Sequence, residues 1–201
     1  MNRRRLLSLA AVLVLLPALQ GCFPVVAGGI AAGVLAIDDR RTLAAQAEDK
    51  TIFAKAETRI SERFGDKVHV NVTSFNRRVL LTGEVPDEKA RAEVERVVGG
   101  IENVAVVVNE LQIGGASSLT ARTNDAIITS KVKGNFVDDP KVQANAFKVV
   151  TEASVVYLMG LVTREEGDRA ATVASRTSGV KQVVKVLEYV PVAPRAADAK
   201  K

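Results

Sequence analysis

The sequence predicts an α+β fold made of two small tandem domains, each with the element order α-β-β-α-β. Two observations predict it. The stretch VLLTGEVPDEKARAEVERVV (79–98) repeats the pattern of VYLMGLVTREEGDRAATVAS (156–175), namely a strand, a glycine, a turn and an acid-rich helix start. Each copy is preceded by a helical pattern and a further strand, and is followed by a Val-rich strand. Such a repeat predicts two helices packed on a three-stranded mixed sheet in each domain.

The first 21 residues have the layout of a secretory signal peptide. Three arginines at 3–5 precede an apolar run at 6–16, which is shorter than the roughly 20 residues that a helix needs to span a bilayer. The residues LQGC at 19–22 resemble a bacterial lipobox. This resemblance implies that Cys22 is lipidated and becomes the first residue of the mature protein, whereas the alternative is a buried or reactive free thiol.

Export would change both the charge and the chemistry of the chain. The formal net charge is +5, and loss of the three signal arginines would reduce it to +2, which is little basis for a nucleic-acid-binding face. Cys22 is the only cysteine, so its use as an anchor leaves none for a disulfide. Phe23, rather than an acidic residue, follows the anchor. By resemblance to sorted lipoproteins, this implies the outer membrane on its periplasmic side.

Residues 22–47 are predicted to form a lipidated tether. Their first part, FPVVAGGIAAGVLAI, is rich in Gly, Ala and Val and carries no charge. We expect a flexible or membrane-hugging segment. The alternative is a second membrane contact, because the spacing of Gly29 and Gly33 permits close approach of helices.

Residues 48–113 are predicted to form the first domain. Its opening helix, TIFAKAETRISERF, places four apolar residues on one face at helical spacing: Phe53, Ala56, Ile60 and Phe64. The strand VHVNV at 68–72 alternates, so its valines should face the core while His69 and Asn71 face solvent. A turn at 75–77 leads to the next strand.

A Gly- and Ser-rich linker at 114–122 precedes the second domain, which is predicted at 123–190. Its first helix, TNDAIITSKVKGNF, should begin at an N-cap of Thr123 or Asn124. Three of its apolar residues should face the core: Ile128, Val132 and Phe136.

The rest of the second domain follows the same order as the first. Strands are predicted at 142–151 and 154–160, with a turn at 152–153. The polar tail at 191–201 contains proline and has no core positions, so it is predicted to be disordered. Each domain is near the lower size limit for an independent core, so the two domains should lean on each other.

Two glycines, Gly83 and Gly160, stand at corresponding positions where a strand is predicted to leave its sheet toward a helix. Such a position often requires a positive φ or a close approach of backbone, both of which glycine tolerates. We expect both glycines to be structural.

Catalytic and metal-binding motifs do not emerge from the sequence. His69 is the only histidine, whereas a metal site needs several converging ligands. The acidic pairs at 38–39 and 138–139 could be catalytic carboxylates or Ca²⁺ ligands, but the neighbouring arginines or proline favour a solvated turn or a helix stop. Nucleotide-binding fingerprints and a G-x-S-x-G motif are absent. The sequence therefore predicts a protein that is not an enzyme, with no metal, cofactor, small-molecule substrate or nucleic-acid partner.

The repeats and the lipobox together resemble the BON-domain family. The stretches DDRR, ARTNDAIITSKVK and VYLMGLVTREEGDRAATVASRTSGVK carry the resemblance most specifically. It implies two tandem BON domains behind a lipid anchor, in a protein of the outer membrane. It further implies support of envelope integrity, association with division sites, and binding of anionic phospholipid through the second domain.

The resemblance also implies that the lipid-binding surface is the first helix of the second domain. Ile127 lies about 100° from Ile128 around the helix, shares a stripe with Lys131 and Gly134, and is flanked by Lys133. An exposed apolar side chain beside ammonium groups is typical of a helix that settles at a headgroup layer. The alternative is that Ile127 is a rim residue of the core and that the lysines form a solvated face.

Two functions therefore remain open. One is a membrane-binding module, and the other is an adaptor that docks on envelope proteins through a sheet edge or a helix. The first predicted domain is slightly acidic and the second slightly basic, which favours lipid contact through the second. Relatives of this kind carry an aromatic residue where this chain has Ile127, and the chain contains no Trp. The resemblance thus implies weaker and more charge-dependent binding.

Overall fold

The computed structural model describes residues 39–191. The predicted signal peptide, Cys22, Gly29 and Gly33 of the tether, and the tail from 192 onward lie outside the described residues. Within the described range, no helix is both long and apolar enough to cross a membrane.

The first domain has the predicted order α-β-β-α-β, followed by a short additional strand. Its elements are α1 (Leu43–Phe64), β1 (His69–Phe75), β2 (Arg78–Val85), α2 (Glu88–Gly99), β3 (Val106–Asn109) and β4 (Gln112–Ile113). The second domain repeats the order with α3 (Leu119–Asp138), β5 (Phe147–Glu152), β6 (Val155–Val162), α4 (Arg164–Ser175) and β7 (Gln182–Tyr189). The predicted α+β class with two repeated units is confirmed.

Each domain contains one mixed sheet built around its second strand. β2 pairs antiparallel with β1 and parallel with β3 and β4, whereas β6 pairs antiparallel with β5 and parallel with β7. The parallel neighbours are reached through α2 or α4, because parallel strands need a crossover connection. β4 makes the first sheet four-stranded, one strand more than predicted.

A buried carboxylate in each opening helix holds the hairpin turn of its domain. Asp49 on α1 accepts hydrogen bonds from the backbone N–H groups of Asn76 at 2.7 Å and Arg77 at 2.8 Å. Asp125 on α3 accepts in the same way from both turn residues of the second hairpin, at 2.9 and 2.8 Å. All four turn residues have positive φ without being glycine, which suits a two-residue hairpin but is intrinsically uncommon. The helix-to-turn bonds therefore fix a costly backbone conformation.

α1 begins earlier than predicted, so the tether predicted at 22–47 is shorter. The helix starts at Leu43 and is capped by Thr42, whose side chain accepts from the backbone N–H three residues on at 3.1 Å. Immediately before the cap, the Arg41 guanidinium pairs with the Asp39 carboxylate at 2.7 Å. Asp39 and Arg41 are thus fixed at the start of the first domain and are not in a solvated turn, whereas Asp38, the other acid of the predicted pair, lies outside the described residues.

α3 also begins earlier than predicted, inside the segment assigned to the linker at 114–122. Ser118 is its N-cap and accepts from a backbone N–H at 3.2 Å. The predicted N-cap of Thr123 or Asn124 is wrong because both residues lie inside the helix. The Thr123 hydroxyl instead donates to the carbonyl oxygen of Leu119 at 2.9 Å.

The core of the first domain differs from the prediction at Phe53. This residue is 45% exposed, and Ile52 is fully buried in its place. Ile52, Ala56 and Ile60 share one stripe at intervals of four residues, and Phe53 lies about 100° from Ile52 around the helix. Phe64 lies partly buried at the edge of the same cluster.

The core of the second domain is as predicted in the helix but not in the first strand. Ile128, Val132 and Phe136 are buried, which confirms the predicted core face of α3. β5 begins later than the predicted 142, because a 3₁₀ turn (Ala144–Ala146) precedes it. The hairpin turn lies one residue later than predicted, at 153–154.

The two sheets contact each other through the faces that their own helices leave uncovered. An apolar cluster of strand residues from both domains fills this interface: Phe75, Leu80, Tyr157, Met159 and Val186. The helices pack on the opposite face of each sheet. The layers therefore run helices, sheet, sheet, helices, and the domains lean on each other as the sequence analysis expects.

The predicted solvent-facing side chains of β1 have different surroundings. His69 is half-buried, with its Nδ1 atom 2.8 Å from Glu84 Oε2, so the prediction that it faces solvent is wrong. Asn71 remains exposed, but its side-chain amide donates to Glu152 of the second domain at 2.8 Å. The cause is that this face of β1 borders the domain interface. The sequence alone does not reveal where that interface lies.

Candidate membrane-binding surface

The outward face of α3 carries most of the residues predicted to bind lipid. The helix buries four side chains against the second domain: Asp125, Ile128, Val132 and Phe136. At 3.6 residues per turn, Ile127, Lys131 and Gly134 lie within roughly 60° of one another on the opposite side. All three are exposed, Ile127 by 49%. The structure thus brings these three predicted residues together.

Lys133 is exposed but does not share that stripe. It lies about 120° from Ile127 around α3, and its charge is close enough to Lys148 on β5 to lower the pKa of that lysine. Lys133 therefore stands between the outward face of α3 and the flank of the domain. The predicted set is split into a stripe of three residues and one flanking lysine.

The lysines and the glycine of α3 are open to an approaching surface. Within the described range, neither Lys131 nor Lys133 has a salt-bridge partner. A Cβ atom built on Gly134 would meet no other atom within 4 Å. Both ammonium groups are thus available to external anions, and the helix surface beside them is unobstructed.

Two further exposed apolar residues on α3 were not anticipated. Leu119 is 80% exposed and Val137 is 73% exposed. They are 18 residues apart, which is five helical turns, so they point in the same direction and span about 27 Å. Leu119 was missed because the predicted N-cap, Thr123 or Asn124, lies five or six residues after the observed N-cap, Ser118. Val137 could have been found from the sequence. It directly follows the core residue Phe136, so its side chain lies about 100° away around the helix.

The equivalent helix of the first domain carries different side chains at the matching positions. Aligning the hairpin-binding carboxylates Asp49 and Asp125 places Thr51 where α3 has Ile127, and Glu57 where α3 has Lys133. Lys55, the counterpart of Lys131, lies 3.8 Å from Glu102. The first domain therefore presents a polar residue and an acid where the second presents an apolar residue and an unpaired base.

The domain interface contains two side chains whose titration is shifted. Burial raises the pKa of Glu152, and the hydrogen bond from Asn71 opposes this only in part. Burial also raises the pKa of Tyr157 to about 12, with a further contribution from the charge of Glu110. Both residues are nearly removed from water at the interface, with 5% of Glu152 and 2% of Tyr157 exposed.

The two predicted structural glycines differ in the constraint they meet. Gly83 has a φ of 109°, and a Cβ there would lie 2.1 Å from the His69 carbonyl oxygen. Gly160 has no positive φ, but a Cβ there would lie 2.7 Å from the Ala146 carbonyl oxygen. The first position thus combines an unusual dihedral with close approach, and the second involves close approach alone.

Metal-ligating side chains do not converge in the described part of the chain. No group of three or more His, Cys, Asp or Glu residues in 39–191 is arranged to hold a metal ion. The residue pair Asp138 and Asp139 lies at the end of α3, where Asp139 is the C-cap and pairs with Arg169.

Comparison with known proteins identifies relatives over most of the chain. The family model for the BON domain matches residues 53–115 and 124–191. Outer membrane lipoprotein DolP of Haemophilus influenzae is 36% identical over 173 residues, covering 85% of this chain and 90% of that protein. The 21 kDa hemolysin of Actinobacillus pleuropneumoniae is 29% identical, covering 76% of this chain and 79% of that protein. Osmotically-inducible protein Y of Escherichia coli is 29% identical, covering 68% of this chain and 70% of that protein.

Proposed function

The chain belongs to the BON-domain family, and from this premise we propose that it binds anionic phospholipid through the outward face of α3 in its second domain. It is an outer-membrane lipoprotein with a role in the cell envelope.

The observation that carries this proposal is the coexistence of exposed apolar and unpaired basic side chains on one helix. Ile127, Leu119 and Val137 are exposed on α3, and Lys131 and Lys133 have no ion pair within the described range. A helix with this composition lies at the headgroup boundary, where its apolar groups leave water and its lysines meet lipid phosphates. Each lysine near an anionic surface contributes about 1 kcal/mol.

The proposed anchor would deliver this surface to the membrane. We propose that Cys22 carries the lipid, because the lipobox places it directly after the signal sequence. α3 would then need only modest affinity, since attachment already confines the domain near the bilayer. Envelope integrity would depend on both contacts.

A vesicle flotation assay tests the proposed surface apart from the anchor. The chain from residue 22 with Cys22→Ala has no lipid, so any flotation reports contacts of the protein itself. We expect flotation with vesicles containing phosphatidylglycerol and much less with phosphatidylcholine alone. Equal behaviour with both, or no flotation with either, would favour the adaptor, for which exposed Leu43 and Ile113 of the first domain offer an alternative apolar contact.

A further inference from the structure

A cleft opens between α1 of the first domain and β5 at the edge of the second. It has a volume of about 320 Å³, and the side chains that line it include Arg41, Lys50, Phe53 and Lys148. At about 30 Å³ per molecule this volume corresponds to roughly ten waters. Three of these four side chains are cationic, and they come from three separate parts of the chain.

The carboxylate that borders the cleft is already saturated with donors. Asp49 Oδ1 accepts from the Ser74 hydroxyl at 2.7 Å and from the backbone N–H of Arg77 at 2.8 Å. Its Oδ2 accepts from Arg41 at 2.8 Å and from the backbone N–H of Asn76 at 2.7 Å. Asp49 therefore pairs with Arg41 and holds the hairpin turn by hydrogen bonds. No hydrogen bond or salt bridge in the described residues joins it to Lys50 or Lys148.

Arg41 is likewise fully engaged. It pairs with Asp39 as well as with Asp49, and its guanidinium lies 3.9 Å from the ring centre of Phe75. It forms a fixed, neutralised wall of the cleft.

Lys148 is a cation without a counter-ion. Within residues 39–191 its side chain makes no salt bridge and one long hydrogen bond, of 3.4 Å, from Nζ to the Ser74 carbonyl oxygen. Burial lowers its pKa, the charges of Arg41 and Lys133 lower it further, and only the charge of Asp49 acts in the opposite sense. Lys148 as a residue is still exposed to solvent, so an anion from solution can reach it, and an anion stabilises a cation that lies beside other cations.

Lys50, which also lines the cleft, adds a second unpaired charge. No salt bridge involves it within residues 39–191. Because it belongs to α1 and Lys148 to β5, an anion between them would contact both domains. Lysine is a common point-charge partner of phosphate.

We propose that this cleft binds a phosphate group, held between Lys148 and Lys50, either as a free phosphate or as the headgroup phosphate of a lipid. The site is distinct from the outward stripe of α3 and does not depend on the proposed membrane-binding role of that stripe. Phe53 lies half-exposed at its edge and offers an apolar contact to whatever the phosphate is attached to.

The test is a titration of the full-length protein in neutral detergent micelles, followed by ¹H–¹⁵N NMR. Inorganic phosphate is added against chloride at equal ionic strength, because general screening affects both alike. We expect saturable shifts centred on Lys148, Ser74 and Lys50. Lys148→Gln should weaken the fitted affinity by about tenfold, the loss of one charge-assisted contact, and Lys50→Gln should also weaken it.

Lys181→Gln is the matched control, because it removes an exposed lysine that lies outside both the cleft and α3. It should bind phosphate as the wild type does. Unfolding of a variant is checked by its amide spectrum away from the cleft. Absence of saturable shifts in the wild type, or equal affinity of wild type and both cleft variants, would overturn the proposal.

The two sources of phosphate are separated by vesicle flotation of the same variants. If the ligand is a lipid headgroup, Lys148→Gln reduces flotation with phosphatidylglycerol vesicles, and added inorganic phosphate competes. If it is free phosphate, flotation is unchanged while the titration loses affinity. Loss of flotation in Lys131→Gln with intact phosphate binding would separate the α3 surface from the cleft.

Discussion

Asn71 of the first domain donates a hydrogen bond across the domain interface to Glu152 of the second, at 2.8 Å. The bond favours the ionised carboxylate, but burial outweighs it and raises the pKa of Glu152. An acid with a raised folded-state pKa binds more protons in the folded than in the unfolded protein between the two pKa values. Its unfavourable contribution is therefore present above the folded pKa and disappears as the pH falls toward 4.5.

Glu152→Gln should accordingly stabilise the protein at pH 7, since the amide can still accept from Asn71 without carrying a charge. We expect the melting midpoint to rise by roughly 2–4 °C, the shift that about 1 kcal/mol produces in a protein of this size. The gain should shrink as the pH approaches 4.5. Glu165→Gln, on the exposed surface of α4, controls for the loss of one charge, and a lower midpoint for Glu152→Gln at pH 7 would contradict the assignment.

Gly160→Val should lower the melting midpoint, because its side chain would collide with the Ala146 carbonyl oxygen. A Cβ at 2.7 Å is well inside normal contact, and overpacking of this kind costs about 1–3 kcal/mol. Gly134→Ala is the internal comparison, since the helix there is open and alanine should add roughly 0.5–1 kcal/mol of stability. Similar melting curves for the two variants would refute a structural role for Gly160.

Reversing the two lysines of α3 should abolish flotation of the unlipidated chain with anionic vesicles. Lys131→Glu with Lys133→Glu removes about 2 kcal/mol of attraction and adds repulsion. Lys141→Glu with Lys181→Glu produces the same net charge at exposed positions outside α3 and should float normally. The wild type should lose binding as salt is added, because the interaction is screened over about 10 Å at 0.1 M. Equal flotation of both double variants would exclude α3 as the lipid surface.

The apolar half of the same contact is tested at Ile127. Ile127→Ser should weaken vesicle partitioning by about tenfold, since burial of an isoleucine side chain is worth roughly 1.5–3 kcal/mol when complete. Ile127→Trp should strengthen it, because Trp favours the interface. Vesicle titration by light scattering measures both. If the serine variant binds vesicles as tightly as the wild type, Ile127 does not contact lipid and is a rim residue of the core.

Lipidation of Cys22 is tested by mass spectrometry and fractionation of the full-length protein. The wild type should carry the mass of attached acyl chains at its amino terminus and should sediment with membranes. Cys22→Ala should lose the acyl chains. Because the contacts of the protein itself with lipid are weak, the variant should then leave the membrane fraction. Retention of mature size and membrane location in the variant would show that the thiol is not the anchor.

The repeat and its layers were predictable because both domains use the same local signals. The run VVYLM in β6 has apolar residues on both faces, which is typical of a strand covered on two sides. The small size of each domain predicts that the two lean on each other, and this strand pattern agrees with it. The identity of the contacting face was not predictable, because both faces of β2 and β6 are apolar.

The remaining differences lie where local signals compete. Ser118 and Thr123 both belong to residue types that cap helices, and α3 begins at the first of them. Ile52 and Phe53 are adjacent apolar residues, and the phase of the whole helix decides which is buried. For the candidate site, Ile127 and Lys131 followed from helical spacing, whereas the cleft at Lys148 arises between distant segments and leaves no mark in the sequence.

The helices lie on the outside and the two sheets pack together at the centre. This order of layers separates the helices of one domain from those of the other by the thickness of both sheets. If α3 rests on the leaflet, α1 and α2 stand on the far side of both sheets, which are themselves about 10 Å apart. The first domain is then held at a fixed stand-off from the lipid and points into the periplasm. Any envelope protein that docks on α1 or α2 would be kept at a constant height above the bilayer.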